Sequence, residues 1–195
     1  MVKSQRAHGG RERWLFLREV LSAPRYMGAV TPSSGYLVDA LMRLANGFDV
    51  RTAVELGPGT GPFTAGLLAR LPADSRLLCI ERDERFADHL RRRFDDPRLS
   101  IITGDAQHLE RYLAEHGMGK RVPLIVSGLP FTSLPGDVRD SILATIAHCL
   151  SPEGCFLLYQ YSHAIRPDLL RHFSRVESRR EIRNIPPAVC MRATP

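Results

Sequence analysis

The chain has 195 residues, of which 44% are hydrophobic and 25% charged, a composition typical of a soluble globular domain. Its longest apolar runs, such as 122–126, are strand-sized, so no membrane-spanning helix is predicted. The apolar stretch 14–17 is too short for a signal peptide, and Arg18 and Glu19 interrupt it. We therefore expect one intracellular domain with one appended element, either soluble or peripherally attached to a membrane.

The charge is unevenly distributed along the chain. The net charge is +6, and residues 1–25 alone contain six basic and two acidic residues. A local basic excess favours a polyanionic partner, either nucleic acid or an anionic membrane surface. A solvated basic tail without a partner is the alternative.

The cysteines carry no recognisable metal or redox motif. Cys79, Cys149, Cys155 and Cys190 form no C-x-x-C pair and have no histidine at zinc-site spacing. We predict buried, reduced thiols and no bound metal.

Residues 11–22 predict an amphipathic helix. Its apolar arc contains Trp14, Phe16, Leu17, Val20 and Leu21, and Arg11 and Arg18 lie on the opposite side. Pro24 ends this helix. The turn-rich stretch 28–34 leads into a second helix over 34–46, which Asn46-Gly47 closes.

From residue 52 onward, short apolar runs alternate with helical patterns. The predicted strands are 52–56, 76–80, 99–103, 122–127 and 155–161, and the helices between them are 61–71, 83–94, 106–116 and 137–150. A helix over 167–173 and two strand-like runs, 176–183 and 188–193, follow. This order predicts a Rossmann-like α/β fold with a seven-stranded, mostly parallel sheet that ends in an antiparallel hairpin.

A glycine-rich turn follows the first predicted strand. It reads Glu55-Leu56-Gly57-Pro58-Gly59-Thr60-Gly61 and opens a helix, where free backbone N–H groups and a close backbone approach favour a ligand. Glu81 ends the second strand, where an acid can hold ribose hydroxyls, and Asp105 follows the third strand, where a carboxylate can accept from an adenine amine. All these groups lie at the carboxyl ends of strands, the edge at which open α/β sheets bind ligands.

A dinucleotide enzyme is the first alternative for this turn. Its G-x-G-x-x-G fingerprint requires glycine at position 62, which is Pro62. Glu55 would repel a pyrophosphate and suits a cationic group such as the ammonium of a methionine moiety. The charge therefore favours an adenosyl amino acid over NAD.

At this point the sequence resembles the class I S-adenosylmethionine-dependent methyltransferases over roughly residues 50–195. The resemblance implies S-adenosylmethionine as cofactor, with Glu55, Gly57 and Gly59 at its methionine end, Glu81 at the ribose, and Asp105 and Ala106 at the adenine. Pro58, Thr60, Arg82 and Ser127 complete the implied cofactor site. The implied domain organisation is an N-terminal amphipathic helix and substrate lid over 1–48 and a methyltransferase domain over 49–195.

Within this class, the chain looks closest to the bacterial phospholipid N-methyltransferases, which are similar to the ribosomal-RNA adenine dimethylases. The narrower match is carried by 28–34, 55–61, 127–131 and 184–188. The RNA enzymes typically have Asn or Asp before Pro-Pro-aromatic after the fourth strand, whereas this chain has Ser127-Gly128-Leu129-Pro130-Phe131. Gly128 has no side chain with which to bind a flipped base, so a lipid substrate is favoured over nucleic acid.

The resemblance implies methylation of phosphatidylethanolamine, towards phosphatidylcholine. Aromatic faces suit the cationic amine and its products, and the candidates are Tyr26, Tyr36, Phe131, Tyr159 and Tyr161. We expect Tyr36, Ser127, Gly128, Leu129 and Phe131 to form the substrate side, with backbone carbonyls of 127–129 as proton acceptors. RNA adenine methylation and a non-catalytic lipid-binding module stay open as alternatives.

The N-terminal helix predicts attachment to a membrane. Trp14, Phe16 and Leu17 can enter the acyl boundary while Arg11, Arg18 and Arg25 contact lipid phosphates. Docking of the same apolar face on the protein's own core is the alternative. The expected location is the cytoplasmic face of the cell membrane.

Overall fold

The computed structural model describes residues 35–45 and 50–195, which form a seven-stranded sheet flanked by helices. The strands are β1 (Thr52–Leu56), β2 (Arg76–Glu81), β3 (Leu99–Thr103), β4 (Val122–Ser127), β5 (Leu150–Gln160), β6 (Arg175–Glu181) and β7 (Ala188–Thr194). Their order across the sheet is β3-β2-β1-β4-β5-β7-β6. β7 runs antiparallel to both of its neighbours, and the first five strands pair in parallel.

Six α-helices connect or cover the strands in the described part of the chain. They are α1 (35–42), α2 (Pro62–Leu68), α3 (Glu84–Arg93), α4 (Leu109–Glu115), α5 (Gly136–Cys149) and α6 (Arg166–His172). Local chemistry sets several starts: Pro62 opens α2, and the Asp83 side chain accepts from the Arg85 N–H at the start of α3. Short 3₁₀ turns stand at Arg43–Ala45, Ala106–His108 and Phe131–Ser133.

The sheet separates two apolar layers, because successive side chains of a strand point to opposite faces. Val54 and Leu56 of β1 join a cluster with residues of α4, α5 and α6. Ala53, on the other face of the same strand, joins residues of α1 and α2. Both faces are therefore covered, as a parallel sheet requires.

The helix α1 is held on the second face by specific contacts. Val38 lies so close to Gly66 of α2 that a Cβ added there would meet the Val38 Cγ1 at 2.3 Å. Asp39 pairs with Arg70, and the Arg183 guanidinium lies 4.6 Å from the ring centre of Tyr36. These contacts attach α1 to α2 and to the β6–β7 connection.

The predicted fold class is confirmed, including the terminal antiparallel pair. The largest difference is the fifth strand, which begins at Leu150 rather than at 155, because Leu150 pairs with Val122 before a register shift. The predicted helix 106–116 divides into a 3₁₀ turn and α4, since the Asp105 side chain caps the Gln107 N–H. All four cysteines are free and buried, as predicted.

Some predictions fall on parts of the chain outside the described residues. These are the helix over 11–22, the stretch 28–34, and the Asn46-Gly47 helix end. Among the residues that are described, no helix has the length and hydropathy needed to cross a bilayer.

Candidate active site

The glycine loop after β1 has the backbone conformation that its composition predicts. Gly57 and Gly59 have φ values of 67° and 57°, in the left-handed region that favours glycine. The Gly57 N–H donates to the Ile80 carbonyl at 2.9 Å, which ties the loop to the end of β2. At Gly59 an added Cβ would meet no atom within 4 Å, so this face of the loop opens outward. Pro58 beneath it is buried, and Thr60 is exposed.

Glu55 is the buried carboxyl group two residues before Gly57 of this loop. Its side chain is 2% exposed and accepts hydrogen bonds from Thr64 Oγ1 at 2.6 Å and Cys79 Sγ at 3.4 Å. Burial raises the pKa of Glu55 to about 7, and the bonds from Thr64 and Cys79 oppose that rise. Near neutral pH the carboxyl is therefore poised between its two forms, and a cation placed beside it would favour the ionised one.

Glu81 links the end of β2 to the glycine loop. One carboxylate oxygen accepts from the Gly59 N–H at 3.1 Å, and the other accepts from the Asp83 N–H at 3.0 Å. Burial raises the pKa of Glu81, while these backbone bonds lower it. The residue thus serves the loop geometry as well as offering an acceptor at the sheet edge.

Asp105 completes the acidic series along the edge, one acid at each of β1, β2 and β3. Its side chain is partly exposed and lies 3.9 Å from the Arg82 guanidinium. The Asp105 carboxylate also caps the following turn by accepting from the Gln107 N–H at 3.0 Å, and Ala106 is buried behind it. The Gly104 N–H donates to the Glu81 carbonyl at 2.9 Å, which holds this turn beside β2.

The segment after β4 closes the other side of the site. Ser127 is fully buried, and its Oγ accepts from the Leu129 N–H at 3.1 Å. Gly128 lies against the glycine loop so tightly that a Cβ there would be 2.6 Å from the Gly57 carbonyl oxygen. Leu129 touches Gly57 through its side chain, and its carbonyl accepts from Gln160 Nε2 at 2.9 Å. The two loops therefore form one packed unit.

The predicted aromatic residues have different environments. Tyr159 stacks on Phe63, with ring centres 5.2 Å apart, and meets Tyr161 edge-to-face at 6.4 Å. Burial raises the pKa of both tyrosines. Tyr161 is 54% exposed, and Tyr36 is 45% exposed under Arg183. The Tyr159 hydroxyl lies beside Gly128, 3.9 Å from where a Cβ would stand, whereas Tyr36 lies against Arg183 and Tyr26 is outside the described residues.

Phe131 corrects one expectation. Its ring is fully buried and packs edge-to-face on Phe156, with centres 6.1 Å apart, instead of standing on the substrate wall. The 3₁₀ turn Phe131–Ser133 directs the side chain into the core cluster. In this structure Phe131 stabilises the turn after β4.

Sequence reasoning missed two residues that shape the site. Thr64 is fully buried on α2 and donates to Glu55, and Gln160 is buried at the end of β5 and donates to Leu129. Each is a polar residue within an apolar run, which is the signal that could have identified it. No three His, Cys, Asp or Glu side chains within 35–45 and 50–195 could together hold a metal ion.

The donor set fits S-adenosylmethionine. Each of β1, β2 and β3 carries an acid at or just after its carboxyl end, and the Glu81 carboxylate bonds the N–H of Gly59, whose open face borders the site. Acids suit the ammonium, ribose hydroxyls and adenine amine of this molecule, whereas a pyrophosphate would be repelled. The site and the strand order together define the class I methyltransferase architecture.

Comparisons with known proteins agree with this classification. A family model described as a methyltransferase domain matches residues 53–154. The ornithine lipid N-methyltransferase of Singulisphaera acidiphila is 32% identical over 181 residues, which cover 90% of this chain and 92% of that protein. The chain therefore belongs to the class I methyltransferase family, and S-adenosylmethionine is its cofactor.

More distant relatives share part of the chain or only its fold. The ribosomal RNA small subunit methyltransferase A of Bordetella avium is 34% identical over 95 residues, 49% of this chain and 33% of that protein. The N-methyltransferase NodS from Bradyrhizobium japonicum superposes with a TM-score of 0.66 at 16% identity, over 84% of this chain and 96% of that one. At that identity the likeness concerns the fold alone. The resemblance inferred from the sequence motifs is thus confirmed.

Proposed function

We propose that the protein methylates the amine of a lipid headgroup, with phosphatidylethanolamine and its mono- and dimethyl derivatives as substrates, towards phosphatidylcholine. The observation that carries this proposal is the similarity to a lipid N-methyltransferase over 90% of the chain. The loop after β4 supports it, because Gly128 has no side chain with which to bind a nucleobase. Its close contact with the Gly57 carbonyl leaves no room for a side chain at this position.

The chemical task of the site is to present a neutral amine. A primary ammonium has a pKa near that of lysine, about 10.4, so roughly four molecules in ten thousand are neutral at pH 7. Loss of that proton is favoured by desolvation and by a nearby acceptor. S-adenosylmethionine supplies the methyl group when it is bound.

Different residues of the chain bind the cofactor and the substrate amine. The glycine loop, Glu55, Glu81 and Asp105 hold the cofactor. The Leu129 carbonyl oxygen accepts a hydrogen bond from Gln160 and has a second lone pair. It can therefore also accept a hydrogen bond from an N–H of the substrate amine. Tyr159 and Tyr161 offer aromatic faces that tolerate the cationic product.

An ornithine lipid is the second candidate substrate. The relative from Singulisphaera acidiphila carries that substrate in its name. Ornithine lipid and phosphatidylethanolamine both present a primary amine at the surface of a bilayer, so the same acceptor and aromatic faces serve either one.

The proposed reaction takes place at the membrane surface. The sequence pattern of residues 11–22 predicts a helix with Trp14, Phe16 and Leu17 in its apolar arc and Arg11 and Arg18 on the opposite side, and Arg25 follows it. Such a segment binds the interface of an anionic leaflet. We propose this attachment for the cytoplasmic face of the cell membrane, with the same segment covering the substrate site.

The test supplies labelled S-adenosylmethionine with vesicles that contain phosphatidylethanolamine and ornithine lipid, plus folded ribosomal RNA as a competitor. We expect label in the organic extract, and chromatography identifies the headgroup and the number of methyl groups. Label in ornithine lipid alone would replace the first substrate with the second. Label in RNA, or calorimetric binding of S-adenosylhomocysteine without any transfer, would overturn the proposal.

A further inference from the structure

The connection between β6 and β7 exposes an unusual amount of apolar surface. Ile182 and Ile185 are 75% and 79% exposed, more than any other large hydrophobic side chain of the described residues. Pro186 and Pro187 beside them are also exposed. We call residues 182–187 the hairpin turn.

The hairpin turn is held in place by its own polar contacts. Asn184 is buried, and its Nδ2 donates to the Pro186 carbonyl at 2.6 Å. Arg183 forms two side-chain hydrogen bonds to the Glu181 carboxylate, at 2.8 and 2.7 Å. The two isoleucines are therefore presented by an ordered turn, so their exposure is a feature of the fold.

Uncompensated positive charge lies next to these isoleucines. Arg179 and Arg180 are exposed on β6, and neither forms an ion pair with another residue of the described ranges. Both are near the carboxyl end of β6, separated from the turn by Glu181. Exposed apolar side chains flanked by free cations match the two layers of an anionic bilayer surface, acyl chains beneath phosphates.

The sheet register places the hairpin turn at the same edge as the candidate active site. Gln160 at the end of β5 pairs with Val189, and Ala188 pairs with Glu181, so the turn projects beyond the carboxyl end of β5. The glycine loop and the segment after β4 lie at that edge too. On the α1 side of the turn, the Arg183 guanidinium lies over the Tyr36 ring.

From this juxtaposition we infer that the hairpin turn is a second membrane contact, which inserts Ile182 and Ile185 into an anionic bilayer while Arg179 and Arg180 bind lipid phosphates. The inference rests on the proposed lipid substrate and adds to it an orientation. With the turn in the interface, the edge of the sheet that carries the candidate active site faces the headgroups. An RNA backbone would engage the arginines but would leave the isoleucines in water.

The experiment measures partition of the full chain onto phosphatidylglycerol-rich vesicles and onto pure phosphatidylcholine vesicles. For the double variant R179Q/R180Q we expect roughly 30-fold weaker partition onto the anionic vesicles, from about 1 kcal/mol per arginine. For I182S/I185S we expect a loss of roughly tenfold or more on both, because buried aliphatic area is removed.

Matched controls separate local contact from general charge or apolarity. K120Q/R121Q removes two exposed cations that precede β4 at the opposite edge of the sheet. L170S removes an exposed apolar side chain from α6. Both controls should partition within about twofold of the wild type.

Turnover of a monomeric, short-chain phosphatidylethanolamine is the second readout. All variants should keep wild-type turnover on this soluble substrate, which shows that they fold, and the hairpin-turn variants should lose turnover on vesicles. Wild-type partition of both hairpin-turn variants onto the vesicles would overturn the inference. Failure of the proposed function has a different signature: vesicles bind, and no lipid amine is methylated in either format.

Discussion

The contact between Gly128 and the glycine loop can be tested by adding a single methyl group. In G128A the new Cβ would stand 2.6 Å from the Gly57 carbonyl oxygen, about 0.8 Å inside the 3.4 Å at which ordinary contact begins. The opposing atom belongs to the backbone, so no side-chain rotation can relieve the clash. One of the two loops must move, although each is tied down by a 2.9 Å bond, Gly57 N–H to Ile80 and Gly128 N–H to Leu56.

Overpacking of this kind costs about 1–3 kcal/mol. If the glycine loop moves to relieve the clash, the cost appears as weaker cofactor binding, and the Kd of S-adenosylhomocysteine rises roughly 5- to 150-fold. If the fold absorbs the cost, the Tm falls by about 2–4 °C per kcal/mol. Titration calorimetry and thermal unfolding, run on the same preparation, measure both shares.

The matched control is G136A, at the first residue of α5. A Cβ there would meet nothing within 4 Å, and alanine suits a helix better than glycine. Affinity and Tm of G136A should equal or exceed those of the wild type. If G128A leaves the Kd within twofold and the Tm within about 1 °C, the two loops are not the packed unit described above.

Two further substitutions test the acidic series. The pKa of Glu55, about 7, lies above its ordinary 4.5, so its burial costs nothing at low pH and destabilises the fold as pH rises from about 4.5 through 7. Urea unfolding should therefore show that the free energy of unfolding of E55Q, relative to that of the wild type, rises by about 3 kcal/mol between pH 4.5 and 8. A difference that does not change with pH would contradict the raised pKa of a buried Glu55 carboxyl. The two carboxylate oxygens of Glu81 accept hydrogen bonds from two backbone N–H groups, and the amide of E81Q has only one oxygen, so one of these N–H groups loses its acceptor. Calorimetry should therefore find S-adenosylhomocysteine bound roughly 10- to 100-fold more weakly. The exposed E84Q serves as its control, and equal affinities would remove Glu81 from the loop's support.

The sequence by itself determined the architecture and the edge at which the site lies. Alternating strand and helix patterns from residue 52 require a parallel sheet covered on both faces. In such a sheet, residues that follow successive strands meet at one edge, whatever the detailed packing. This is why the glycine loop, Glu81 and Asp105 could be assigned to one site without any coordinates.

Only the tertiary structure decided what the side chains of that edge touch. Thr64 and Cys79 reach Glu55 from nine and 24 residues away, and Gln160 reaches Leu129 from 31. Periodicity assigns a residue to a face, but distances between elements depend on how the helices pack. The turn after β4 obeys no period at all, so neither the burial of Phe131 nor the contact of Gly128 with Gly57 could be read from the chain. The sequence predicts the terminal hairpin, but the exposure of Ile182 and Ile185 and the position of their turn at the edge of the site emerge only from the packing and register of β5, β6 and β7.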